Sequence, residues 1–205
     1  MNQEPENAEQ NNNPYAAPQA ELKFQSDAAS GFYVVSKTKF LLLFVGSFSI
    51  YGVYWFYRQW QAQKEQDGSN IWPVPRALFS IFFTTSLTNL IDLALKRSNI
   101  SHKWTPHTAA GVYIFFSILS TVCSRMADKN IGAPATTLVV YLTLPAVTWA
   151  VWKMQDAINH ACGDAHGETN NNLTVANYIW MAIGVLLWAL VLLGTWTILG
   201  GELYE

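Results

Sequence analysis

Between Lys39 and Arg58 the chain runs for eighteen consecutive residues, Phe40 to Tyr57, without a charge. A helix needs about 17–25 such residues to cross the hydrocarbon core of a bilayer. The run therefore predicts a first membrane span and makes lipid, rather than water, the solvent for much of the chain. Its second half concentrates Tyr51, Tyr54, Trp55, Tyr57 and Trp60 around Arg58. Rings with one apolar and one polar end, placed beside a basic residue, suit the headgroup boundary, so these five are expected to form an interfacial aromatic belt. Charge content agrees. Only 13% of residues are charged, about half the share found in soluble domains.

Four more apolar blocks follow, and together they predict an all-α, polytopic membrane helix bundle of about five transmembrane helices. The expected spans are residues 40–57, 77–95, 108–124, 135–152 and 178–199, with 77–95 lying in the interface as the alternative to crossing. Punctuation supports them. Asp67-Gly68 should stop the amphipathic extension QWQAQKEQ that follows the first span, Pro73 and Pro75 turn the chain, and Pro106 suits the first turn of a new helix. Pro145 falls inside the fourth block, where it should kink the helix, a defect that neighbouring helices absorb. Gly184 and Gly194 in the fifth block would permit close helix approach.

The two domains expected are a tail, residues 1–31, and a helical membrane domain, residues 32–205. The tail is rich in Asn, Gln and Pro, and its first thirty residues carry a charge of −4 within a chain of net −2. Such composition cannot offset the entropy of ordering, so the tail is expected to be a disordered, solvated leader, with NPYAAP as an alternative docking peptide. No basic n-region with an apolar core opens the chain, so the first span would serve as a signal-anchor. Counting Lys and Arg on either side does not fix orientation. A cytoplasmic N-terminus is preferred because a signal-anchor then need not translocate the leader. No basic surface fit for nucleic acid is left, and Cys123 and Cys162 form no paired framework.

Two places suggest chemistry. Along the second block Ser80, Thr84, Thr85, Thr88, Asn89 and Asp92 recur at three- and four-residue spacing, a polar intramembrane face that must meet other helices or water. Asp92 stands four residues before Lys96, a spacing that permits an ion pair and would let it cap the span at headgroup level. In the loop after the fourth block, His160, Cys162, Asp164, His166 and Glu168 alternate, and His160, Cys162 and His166 are the candidate metal ligands. Their spacing matches no common zinc site, so no metal or other cofactor is expected. Nucleotide, metalloprotease and acyl-transfer motifs are absent, and the reading leans away from an enzyme.

The order F-x-V-x-S-x-x-K-F, an apolar run, Y-G-x-Y-W-F-Y-x-x-W-x-x-x-K and I-x-P-x-x-R-A-L-F resembles a family of uncharacterised bacterial multi-pass inner-membrane proteins. Here these landmarks are Phe32, Val34, Ser36, Lys39 and Phe40, then Tyr51, Gly52, Tyr54 to Tyr57, Trp60 and Lys64, then Ile71, Pro73 and Arg76 to Phe79. Gln155, Ala157, Ile158 and Asn159, with Gly184, Trp188 and Gly194, resemble its later landmarks. Trp72 before Pro73 departs from the pattern. The resemblance implies a bacterial inner-membrane location and a shared scaffold, and it brings no activity.

Three functional classes stay open. The lead is a non-enzymatic scaffold or interaction protein, whose partners are the bilayer and a membrane protein or a second copy of itself. The alternative is a small solute transporter or channel using the polar face of the second block. The third is a membrane metalloprotein using the 160–168 loop.

Overall fold

The computed structural model describes residues 31–198, and among them it is all-helical. The tail expected over 1–31 lies outside the described residues except for Gly31, as does the last span beyond 198. Seven helices follow in order: α1 Lys37–Gly46, α2 Tyr51–Asp67, α3 Pro73–Leu78, α4 Ser80–Arg97, α5 Pro106–Asp128, α6 Ala135–Ala161 and α7 Val175–Ile198. Three of them, α5, α6 and α7, are long and apolar enough to cross a membrane. The molecule is a helical membrane protein.

Local signals explain most boundaries. Gly68 adopts φ 61° and closes α2, where the left-handed region costs glycine little. Pro73 and Pro106 sit in the first turns of α3 and α5, where a missing N–H costs nothing. Pro145 lies inside α6, as anticipated, and α6 runs nine residues past its expected end. α5 and α6 pack as an antiparallel hairpin, with α4 across both. The α5–α6 connection defines a far end of the bundle, and the end of α6 with the start of α7 defines the near end.

The expected first span is not one helix. It breaks at residues 47–50, and the chain turns back. Phe44 meets Gly52, Phe40 meets Trp55, and Tyr33 pairs with Gln59, so α1 and α2 are the arms of a hairpin with both outer ends at the near end of the bundle. The break is a Schellman motif: Phe48 N–H donates to Val45 O and Ser49 N–H to Phe44 O. That motif ordinarily places glycine at its left-handed position, yet Phe48 stands there with φ 52°, followed by Ser49 with φ 64°. Two contacts hold it. The Phe48 ring packs edge-on against Tyr141 of α6 and Trp188 of α7, and Ser47 Oγ bridges the arms, donating to Leu43 O and accepting from Tyr51 N–H.

Reversal also moves the aromatic belt. Tyr51, Trp55 and Trp60 have no exposed surface at all, while Tyr54 and Tyr57 are half-buried. Positions 51, 55, 59 and 63, together with 52, 56 and 60, make the inward face of α2, so the aromatic cluster is mainly core and not a collar against headgroups. Arg76 of α3 lies 4.5 Å over the Trp60 ring and 5.2 Å over Phe83, joining α2, α3 and α4. The second block is likewise broken, at Phe79, and α4 is not among the helices apolar enough to cross. Of the two glycines, Gly184 touches the backbone of Gly46 and Ser47, so α1 and α7 cross in direct contact. Gly194 faces open space.

The residues before α1 are extended and are held by side-chain amides. Gln59 of α2 accepts from Tyr33 N–H and donates to Tyr33 O, while Asn159 of α6 does the same for Val35. Gln155 adds a second donor to Tyr33 O, Asn170 donates to Val34 O, and Gln63 donates to Gly31 O. Gln59, Gln155 and Asn159 are fully buried. Gln59 and Asn159 each imitate the donor and acceptor of a neighbouring strand, which satisfies a single extended segment that has no sheet to join. Lys39, also buried, completes this clasp by donating to Asn170 Oδ1 and Asn172 O, both at 2.7 Å.

Candidate functional site

The turn at Phe48 and Ser49 is the centre of the most distinctive site. It lies against Gly184 and Trp188, near the middle of α7, and Trp188 Nε1–H donates to Val45 O at 3.0 Å. Non-helical backbone at such a depth is stable only when buried in protein or lining a cavity. Beneath it is a cavity of about 480 Å³ between the turn, α5 and α6. Ser117, Ser120 and Ser124 project into it from one face of α5, at spacings of three, four and seven residues. Ser49 lines it from the turn, Thr143 from α6, and Arg125 from the far-end turn of α5. Its walls are hydroxyl-rich, its charge is a guanidinium, and no carboxylate lines it. Such a lining complements a small solute rich in oxygen, and an anion more than a cation.

The polar face expected on the second block is divided. Thr84 and Thr88 are fully buried against α5 and α6, Ser80 sits 2.7 Å from Tyr113 Oη, and Thr85 and Asn89 are exposed. Thr84 and Thr88 give their hydroxyl protons to the backbone of their own helix, at Ser80 O and Thr85 O. They serve helix packing, and neither lines the cavity under the turn. Asp92 pairs with Lys96 at 2.6 Å, as its spacing allowed.

The three candidate metal ligands do not converge. Cys162 is half-buried, and burial, with the Asp164 carboxylate, pushes its thiol up to about 11, so it is a thiol at neutral pH. His166 is exposed, and Asp164 is committed to the loop itself, accepting from Glu168 N–H, Thr169 N–H and the Thr169 hydroxyl. An alternating pattern brings side chains together only on a strand. Here the segment is the end of a helix, a turn and a 3-10 turn at Glu168–Asn170. His160 points elsewhere, onto the ring of His102.

Sequence reasoning missed the cavity because its hydroxyls are spread over a turn and two helices. One signal was present: Ser117, Ser120, Thr121 and Ser124 recur on one face of the third apolar block, as regularly as the face read on the second. No family model matches the chain, and no curated protein or solved structure matches it.

Proposed function

We propose that this is a bacterial inner-membrane protein, with its N-terminus in the cytoplasm, that handles a small polar or anionic solute in the cavity under the α1–α2 turn. The observation that carries this reading is the interrupted apolar segment: two residues with positive φ, at the depth of the middle of α7, line a hydroxyl-rich cavity. Broken helices at membrane depth build the binding sites of many transporters, because backbone freed from the helix can be satisfied only by protein or by a solute. On this reading the hairpin enters and leaves the membrane on one side, and Arg125 draws an oxygen-rich solute towards the serines. The function remains non-enzymatic. The solute pathway belongs to α5, α6 and the turn, not to α4. The membrane assignment rests on the family resemblance described above together with the three apolar helices.

Single cysteines test it. In a background lacking Cys123 and Cys162, Ser120→Cys should react with aqueous thiol reagents, faster with a sulfonate-bearing reagent than with a quaternary ammonium one. Arg125→Gln should remove that preference. Absence of labelling from either aqueous side would mean that the cavity is filled by lipid, and the solute reading would fall.

A scaffold role has support of its own in α7, which packs mainly on α1 and leaves Ile179, Val185, Leu186 and Leu190 exposed. Crosslinking in native membranes that recovers a second copy or another membrane protein on this face would favour it.

A further inference from the structure

The last turns of α6 present two adjacent faces. Gln155 and Asn159 occupy one and serve the clasp. Asp156 and His160 occupy the next, and their spacing of four places one side chain above the other. The segment between α4 and α5 brings His102 onto that second face. Its Nε2 lies 3.5 Å from Asp156 Oδ2, its ring stacks on His160 with centroids 4.0 Å apart, and one ligand atom from each of the three residues lies within 4.8 Å of the other two.

We propose that His102, Asp156 and His160 bind a divalent transition-metal ion of the zinc class at the near end of the bundle. Two imidazoles with one carboxylate are ligands of intermediate softness. They suit zinc and its neighbours, whereas calcium and magnesium call for oxygen shells. Three protein ligands leave coordination positions open, the pattern of a reactive or regulatory site more than of a closed structural one. All three side chains retain some exposure, between 16% and 31%, so an ion and its remaining water ligands can reach them.

The backbone already orients one of the ligands. His160 Nδ1 lies 2.8 Å from the Asp156 carbonyl oxygen. A carbonyl only accepts, so Nδ1 donates to it and Nε2 is left as the ligand atom, the arrangement in which metal-ligating histidines are oriented by a backbone acceptor. Entry of the ion turns the stacked rings so that their ligand nitrogens converge on it.

Tag-free full-length protein, purified in detergent and titrated with Zn²⁺ against a chromophoric chelator, decides the matter. One ion per chain is expected. His102→Ala and His160→Ala should each weaken binding by more than the about 10–100-fold typical of outer-shell changes. His166→Ala and Cys162→Ala should leave it unchanged. Bound Co²⁺ in the wild type should show ligand-field bands without thiolate charge transfer, a readout that stands even where a variant fails to fold. The proposal is overturned if the chelator strips all Zn²⁺, if binding survives loss of both His102 and His160, if His166→Ala abolishes it, or if Co²⁺ reports a thiolate ligand. Because the ligands lie at the opposite end from Arg125, cysteine labelling of the cavity and metal binding succeed or fail independently.

Discussion

Asn159→Ala is the substitution most damaging to the clasp. The side chain has no exposed surface. Its Nδ2 donates to Val35 O at 3.0 Å, and its Oδ1 accepts from Val35 N–H at 3.4 Å and from Gln155 Nε2 at 2.6 Å. Val35 is itself fully buried, so truncation strands both of its backbone groups away from water. Leaving a buried donor or acceptor unpaired costs about 1–3 kcal/mol, so two should cost about 2–6 kcal/mol. That is a large part of the roughly 5–15 kcal/mol by which whole domains are held together. Asn159→Leu separates the causes, because it restores side-chain volume without restoring the hydrogen bonds. Both variants should lose comparable stability in a mixed-micelle unfolding titration, and hydrogen exchange at Val35 should accelerate in both. Gln61→Ala, which removes only an exposed amide paired with Glu65, should cost no more than about 0.5 kcal/mol. If Asn159→Ala unfolds within about 0.5 kcal/mol of wild type, or Val35 keeps its protection, the clasp contributes far less than its geometry implies.

Three further outcomes are expected. Gly184→Val would drive its Cβ into Gly46 O, forcing α7 off α1 and breaking the Trp188–Val45 bond, at a cost of about 1–3 kcal/mol in thermal unfolding, while Gly194→Val, which meets nothing within 4 Å, should be close to neutral. Ser49→Gly should raise stability by about 1 kcal/mol, because glycine accepts φ 64° without the left-handed penalty; a measured loss would mean that the Ser49 side chain does more than line the cavity. The third concerns acid. Burial works against the Asp164 charge, but donors from Thr169, Glu168 and Gly167 outweigh it and hold the carboxyl below its ordinary range. Its contribution is therefore complete above the unfolded carboxylate range, near about pH 4, and is lost as pH falls through the lower folded value. Hydrogen exchange at Glu168 and Thr169 should rise in that window, and Asp164→Asn should remove the dependence.

Much of the chain was legible because the relevant interactions are local. Charge-free length marks α5, α6 and α7, Gly68 and Pro106 mark a stop and a start, and Asp92 meets Lys96 within one helical turn. The failures share a cause. Fourteen of the residues from Phe40 to Tyr57 lie in α1 or α2, yet a run without charge cannot reveal that the chain reverses inside it. No glycine announces the left-handed residue at Phe48, because the cost of that conformation is met by rings of Tyr141 and Trp188, which are distant in the chain. The aromatic belt was misplaced for the same reason: the spacing of Tyr51, Trp55 and Trp60 suits an interfacial stripe and an inward face equally, and only the return of the hairpin onto its neighbours selects the second.

By itself, then, the sequence determined the solvent and the class of fold: too few charges for water, and apolar blocks of helical length. The tertiary structure alone decided where the polar groups meet. Gln59 and Asn159 close on the residues before α1, Ser49 comes to face Ser117 and Ser120, and His102 comes to lie on His160. In each case a buried polar group must find a partner, and the partner that satisfies it is brought near only by packing between elements far apart in the chain.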